Sequence, residues 1–499
     1  MIADKPVRYE IIRGLISQQD RGPQSTGIIT ANTEEKNFGH ILRVADRAGS
    51  VFKGMRKTDH DIFCDDNMAV GHNRYATSGN NLTRDAQPLY NREPGFAIAH
   101  NGQIANYVDL MERLSVGREV SYATNCDAEI LLDALTLNLR KISPVDSCSG
   151  EKYFQKILVP ALRATMDPES QYGVIGAYSV VMLIPRKGIV AFKDPHGIRP
   201  LCFTQREGEG KFYAFASETT AFSKMKGFKK FRELEPGEAV FIDTDLNVHS
   251  EKILSLEPKI CPFEAVYFSK VNSVYRGRSI KRMRGKLGFI LAEKYKDMKD
   301  RIDLVTSVPK SPIAVAEGMA TAWNKGKNYG AIISDPDDEE VRIFLKSTEQ
   351  ERIDSVAEKF IFVDDLIEGK RIGVVDDSIV RGTQSKGVVQ ELFERGAKEV
   401  HFFSSFPPYT HICPCGIDVA SKEEPLMHNK TVEEARKHIG ATTLNYLSLD
   451  EMLQGVRLTR ETACLGCTTG VYPFDIADYE NFQEIREEHR QSRKTEQVH

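Results

Sequence analysis

Residues 373–385 read Gly-Val-Val-Asp-Asp-Ser-Ile-Val-Arg-Gly-Thr-Gln-Ser. The apolar run 372–375 predicts a buried strand, and Asp376 and Asp377 then stand at its carboxyl end, where open α/β sheets bind their ligands. Two vicinal carboxylates can accept hydrogen bonds from a sugar diol and hold a hydrated Mg²⁺. Gly382 permits a tight loop with inward N–H groups, and Ser378, Thr383 and Ser385 add hydroxyls. Val380, Arg381 and Gln384 complete the loop. The apolar residues Val388, Val389, Leu392 and Phe393 predict a helix whose positive N-terminal end suits a dianionic phosphate. The bland reading is a plain strand–helix turn with surface aspartates. A second apolar-apolar-Asp-Asp run, at 362–365, lacks the Gly/Thr/Ser cradle and reads as a surface turn.

The elements that must position this loop follow from the surrounding pattern. From residue 303 onward strands (303–308, 370–375, 399–405) alternate with helices (313–323, 386–395), which implies a mainly parallel sheet. Before about residue 245, helical spacing at 6–19 and 128–139 mixes with strand-like runs at 96–100, 177–185, 188–192, 212–217 and 239–242. That mixture suits a layered sandwich. The polar, proline-punctuated stretch 247–262 reads as the boundary, giving domains at 1–250 and 251–460 and a tail at 461–499 whose end, poor in apolar residues, reads as a fraying helix or disorder.

Composition narrows the class. The 499 residues are too many for one core. Basic and acidic residues, 67 and 71, are intermixed to a net charge of −4, which argues against a nucleic-acid or membrane footprint. The mean hydropathy is −0.37. No stretch approaches the length of a membrane span, and the first residues carry no apolar signal core. Nine scattered cysteines point to a reducing, cytoplasmic setting.

The 373–385 element resembles the phosphoribosyl pyrophosphate (PRPP) signature of type I phosphoribosyltransferases. Further segments fit one family: Asp20-Arg-Gly-Pro-Gln-Ser-Thr-Gly27, Gly71-His-Asn-Arg-Tyr-Ala-Thr-Ser-Gly79, Ala99-His-Asn-Gly-Gln-Ile-Ala-Asn106, Thr124-Asn-Cys-Asp-Ala-Glu129, Lys193-Asp-Pro-His-Gly-Ile-Arg-Pro200 and Ala216-Ser-Glu218. They look like a class II glutamine amidotransferase domain. Joined to a PRPP domain, the chain is similar over about 6–473 to the amidophosphoribosyltransferases, which make 5-phosphoribosylamine for purine synthesis. The resemblance implies an α/β/β/α sandwich of the N-terminal-nucleophile hydrolase type, followed by a doubly wound type I phosphoribosyltransferase domain. It implies Arg74 on a glutamine carboxylate, Asp127 on its amine, and Asn101 and Gly102 as an oxyanion hole. These types suit bidentate, anionic and preorganised N–H roles. Singly, Arg74 reads as a surface ion pair and Asp127 as a helix cap. Ser311 would join Asp376 and Asp377 around Mg²⁺. The charged stretch 342–352, with Lys359, resembles a loop closing on PRPP.

Two features depart from the family or extend it. The family nucleophile is an N-terminal cysteine, but no cysteine occurs before Cys64, and Met1–Lys5 looks too short to supply the first strand. Asp20 replaces a histidine, and Pro23-Gln24 replaces glutamine and an acid. Either the chain starts late or its glutaminase half has decayed, and the altered 20–24 segment favours decay. Cys261, Cys413, Cys464 and Cys467 match the positions that ligate a 4Fe–4S cluster in one branch of the family. Cys415 is a competitor for Cys413, and zinc is the alternative metal. The expected partners are PRPP, glutamine or ammonia, and purine nucleotide effectors, in a homo-oligomer. The other readings are a PRPP-sensing protein without catalysis, and a PRPP transferase for another nucleophile.

Overall fold

A computed structural model describes residues 1–54, 65–75, 83–116, 122, 124, 126–142, 148–208, 210–325, 330–334, 359–419 and 421–481. By its contacts the chain divides into two units. The first holds Met1–Ile260, Pro414–Asp418 and the described residues from Tyr472 on; the second holds Cys261–Cys413 and Val419–Val471. The first unit thus continues past residue 250. The polar 247–262 stretch, read as a linker, contains an edge strand whose residues alternate between exposed and half-buried. Cys464 and Cys467 belong to the second unit.

The strands of the first unit are β1 (Ile2–Ala3), β2 (Ser25–Ala31), β3 (Phe38–Val44), β4 (Met68–Arg74), β5 (Leu89–Asn91), β6 (Phe96–Ile104), β7 (Gly176–Ile184), β8 (Gly188–Lys193), β9 (Cys202–Gln205), β10 (Phe212–Ala216), β11 (Phe231–Glu233), β12 (Glu238–Asp243) and β13 (Val248–Lys252). Among the described residues they form a seven-stranded sheet, β11-β9-β10-β1-β4-β2-β3, and a six-stranded sheet, β13-β12-β8-β7-β6-β5. Ile29, Val70, Ala97, Ala99, Leu183 and Val240 pack between the sheets. Helix α1 (Arg8–Ser17) covers the outer face of the larger sheet through Val7, Ile11, Ile12 and Leu15. Helix α2 (Tyr107–Ser115) and α3 (Asp127–Ile142) lie in the layer outside the smaller one. Four layers result, each amphipathic element burying one face.

The expectation that Met1–Lys5 cannot form a strand is corrected. Ile2 pairs with both Met68 and Tyr213, and Ala3 pairs with Phe212. Two residues suffice because neighbouring strands on both sides satisfy their backbone groups. The Met1 amine donates to the Ala69 carbonyl at 2.8 Å, and burial pushes its pKa down to about 5.

The second unit carries two two-stranded antiparallel sheets, β14 (Val274–Tyr275) with β15 (Arg278–Ser279) and β17 (Ile332–Ser334) with β18 (Phe360–Phe362). Its main sheet is parallel, β16 (Leu304–Ser307), β19 (Arg371–Asp376), β20 (Glu399–Ser404) and β21 (Thr443–Tyr446), in that order. On one face, α6 (Thr383–Glu394) and α7 (Val432–Ile439) bury Val388, Leu392, Ala435 and Ile439 against Ile372, Val374, Val400 and Phe402. On the other, Tyr295 and Trp323, which follow or lie on α4 (Ile280–Lys294) and α5 (Ile313–Trp323), pack edge-on to Phe403. Helices on both faces of a parallel sheet make the unit doubly wound. The 362–365 run is a strand end followed by a short helix, Asp364–Ile367, rather than a surface turn, and Asp364 binds Arg395 at 2.7 Å. Among the described residues no helix is long and apolar enough to cross a membrane.

The chain beyond Phe474 is anchored through Asp478. Asp478 accepts from the Val108 and Asp109 amides at 2.8 and 3.1 Å, capping α2 with a carboxylate from far along the chain. Asp478→Ala removes this cap, and it should lower stability by about 0.5–2 kcal/mol, read as an earlier denaturant midpoint with unchanged slope.

Candidate active site

The acidic pair sits where the sequence places it. β19 ends at Asp376, and both Asp376 and Asp377 are buried. The Asp377 amide donates to Asp376 Oδ1 at 2.9 Å, and the Ser378 hydroxyl to Asp377 Oδ1 at 2.8 Å. Ser405 braces the turn from β20: its amide meets the Asp376 carbonyl and its hydroxyl the Asp377 carbonyl. Burial, then the neighbouring Asp377, holds the Asp376 carboxyl well above the usual carboxylate range. Burial raises Asp377 to about 6, opposed by the Ser378 hydrogen bond, Arg284 and Lys359. Two desolvated acids in contact are a strained pair that a cation would relieve.

The loop then closes as the composition implies. Gly382 takes φ +80°, a left-handed conformation, directly before α6. The helix starts at Thr383, three residues earlier than its apolar spacing implied, so Thr383, Gln384 and Ser385 form its first turn and offer N–H groups without intrahelical acceptors. Val380 is held by the Leu426 amide at 2.7 Å, whereas Arg381 points outward to Glu424, with Nε at 2.9 Å. Lys359 Nζ reaches Gln384 Oε1 at 3.1 Å, which brings that lysine onto the loop. Residues 342–352, expected to close over it, lie outside the described residues.

Ser311 reaches the same sheet edge by register. β16 pairs in parallel with β19, Ser307 opposite Val375, and the Val308 amide bonds the Val375 carbonyl at 3.0 Å. The loop carrying Ser311 and the acidic pair therefore leave adjacent strand ends. Sequence reasoning missed Arg284. It is buried on α4 and donates to the carbonyls of Ala265, Tyr267, Ser269 and Ser311 at 3.0, 2.8, 2.7 and 3.3 Å.

In the first unit, strand alternation turns one end of the inter-sheet layer polar. Continuing from Val70 and Met68, His72 and Arg74 face inward; continuing from Ala97 and Ala99, so do Asn101 and Gln103. Ser25 pairs opposite Arg74, and Asn101 opposite Ser179. Arg74 is buried with Nη2 3.9 Å from buried Asp85, so it is an interior cation rather than a surface one. Asn101 is fixed by Ser217 at 3.4 Å and Arg199 at 3.3 Å. Gly102 adopts φ +147°, where a Cβ would strike the Ala177 carbonyl. Asp127 opens α3 and accepts from the Ile104 amide at 3.0 Å. Arg21 and Glu218 join two of the sequence segments at 2.8 Å. Asp20 faces Arg47 at 3.6 Å. Arg199 and Ser217 lie in motifs the sequence displays, but nothing there assigns them to Asn101. Among the described residues, Ser25 Oγ, His72 Nδ1 and both amide atoms of Gln103 are sealed from solvent without a hydrogen-bond partner. That end of the layer can therefore accept a polar ligand.

The cysteines expected to ligate a cluster all lie in the second unit. Cys261, Cys413, Cys464 and Cys467 are buried, and the amides of Thr410 and His411 bond the Cys467 carbonyl. Burial, then Cys413, Cys464 and Cys261, pushes the Cys467 thiol well up, so the four sulfurs share one electrostatic neighbourhood. Among the described residues no three His, Cys, Asp or Glu side chains already stand at metal-binding spacing.

A family model for a glutamine amidotransferase domain matches residues 53–139. The amidophosphoribosyltransferase of Haemophilus influenzae is 32% identical over 467 residues, spanning 92% of this chain and 88% of that protein. Its Bacillus subtilis counterpart is 34% identical over 475 residues, spanning 93% and 90%. The solved glutamine PRPP amidotransferase from B. subtilis, complexed with ADP and GMP, superposes with a TM-score of 0.78 at 30% identity, covering 95% of this chain and 96% of that one.

The His72 side chain gives a pH prediction. Burial, then His100 and Arg74, lowers its pKa to about 3. An unfolded histidine binds its proton near pH 6.5, so stability is lost as pH falls through 6.5 towards 3, at up to one proton per molecule. His72→Gln should keep more of its neutral-pH stability at pH 4.5 than the wild type does in parallel urea melts.

Proposed function

The chain belongs to the amidophosphoribosyltransferase family, and we propose how its residues divide the labour of that reaction. It is a glycosyltransferase of purine biosynthesis, forming 5-phosphoribosylamine from PRPP. The amides and hydroxyls of 378–385 receive the 5-phosphate, with Val380, Arg381 and Gln384 shaping the loop, and Asp376 and Asp377 accept from the ribose diol. The donor set of Asp376, Asp377 and Ser311 fits Mg²⁺, which when bound supplies positive charge for the departing pyrophosphate. Lys359 reaches the loop from the segment that would close on the substrate. Ammonia then attacks C1 as pyrophosphate leaves, in a site from which closure excludes water. The observation that carries this reading is the buried acidic pair at a strand end beside the Ser311 loop.

In this reading Arg74 would take the carboxylate of glutamine and Asp127 its amine, and Asn101 and Gly102 would take its oxyanion. The Met1 side chain packs into the core beneath α1. The ammonia source is therefore decided by assay: amine formation from PRPP with ammonium salt against glutamine. Turnover with either donor supports the reaction, and the ratio names the donor. PRPP binding without turnover under both would leave a sensor and overturn the enzymatic reading. Asp376→Asn and Asp377→Asn should each lower kcat/KM by on the order of a hundredfold or more.

For Cys261, Cys413, Cys464 and Cys467 we propose a structural 4Fe–4S cluster, since four buried cysteines could ligate it as thiolates once metal binds and the reaction moves no electrons. Iron and sulfide analysis of anaerobically purified protein should give about four of each per chain. One zinc and no sulfide would favour the tetrahedral alternative.

A further inference from the structure

Arg284 has no place in the reaction as drawn so far. It is 2% exposed, flanked on α4 by exposed Lys281, Arg282 and Lys286. A guanidinium brought inside a domain needs close compensation, because desolvating a charge is costly. Here three of its acceptors, the carbonyls of Ala265, Tyr267 and Ser269, belong to the short helix Glu264–Phe268 and its end. They alone would make it a helix-terminus cap. The fourth acceptor lies elsewhere: Nη1 reaches the Ser311 carbonyl at 3.3 Å.

That bond falls where the loop is poor in anchors of its own. Between the Val308 amide, tied to β19, and the start of α5, two of the four residues are Pro309 and Pro312, which have no N–H to donate. A planar fork can grip separate carbonyls at fixed angles; a single ammonium cannot span them. We infer that Arg284 is a positioning residue: it staples the loop bearing Ser311 to the 265–269 main chain and so fixes that loop beside Asp376 and Asp377. Loop misplacement of about 1 Å is enough to cost on the order of a hundredfold in such sites.

The inference rests on the assignment of PRPP and Mg²⁺ to this sheet edge. Its readout is equilibrium binding of Mg²⁺·PRPP by calorimetry, which needs no turnover. Arg284→Lys keeps the charge but not the fork, and should weaken binding about tenfold and raise the Mg²⁺ concentration for half-saturation. In a Ser311→Ala background the same change should cost less than about threefold, because partners acting through one contact are non-additive. Equal effects of Arg284→Lys in both backgrounds, or wild-type binding by the folded Arg284→Lys protein, would overturn the inference. Arg284→Met, which removes the charge too, should bind more weakly still; if it does not fold, the lysine cycle alone decides. A wild type that binds Mg²⁺·PRPP but makes no amine would refute the reaction and leave this test standing.

Discussion

Two carboxylates lie side by side out of water at the end of one strand, and much of the second unit exists to hold them there. Neither would choose that position in isolation: burial pushes both above the ordinary carboxylate range, and the Asp377 charge adds to the shift of Asp376. The turn is braced from β20 through Ser405, and β16 delivers Ser311 to the neighbouring strand end. The Ser378 hydroxyl, Arg284 and Lys359 oppose the shift of Asp377 only in part. A cation placed beside the pair would offset the cost of burying both carboxylates.

The first unit solves a different problem with the same logic. One layer between two sheets is apolar at Ile29, Val70 and Ala97 and polar at Arg74, Asn101 and Gln103. The switch needs no special backbone device. Alternation along β4 and β6 sends every second side chain into the layer, and the residue type changes along each strand. Gly416, in the 414–418 segment, lies so near Gly102 that a Cβ there would come within 3.0 Å of the Gly102 backbone. No sequence pattern relates those two glycines.

How much of this was legible depended on whether the signal was local. The strand–acid–glycine–helix element at 372–394 could be read because every part is contiguous, and the α5 helix was bounded at Ile313 and Trp323 because its apolar face is unbroken. β1 was missed because two residues carry no periodicity; its strand character comes entirely from β4 and β10 on either side. β13 was missed because an edge strand with one solvated face is as polar as a linker. Arg284 looks like its basic neighbours, and only the helix phase, which turns it inward, separates them. The ion pair Arg21–Glu218 joins distant segments, and sequence spacing holds no record of it or of Arg74–Asp85.

The most direct measurement is a crystal structure with Mg²⁺ and PRPP, or a non-reacting carbocyclic analogue of it. It should show the 5-phosphate on the amides of the loop ending at Ser385, the ribose diol on Asp376 and Asp377, and the pyrophosphate and metal at the Ser311 loop. Ligand bound at another edge of the sheet, with both aspartates still buried and untouched, would contradict the account.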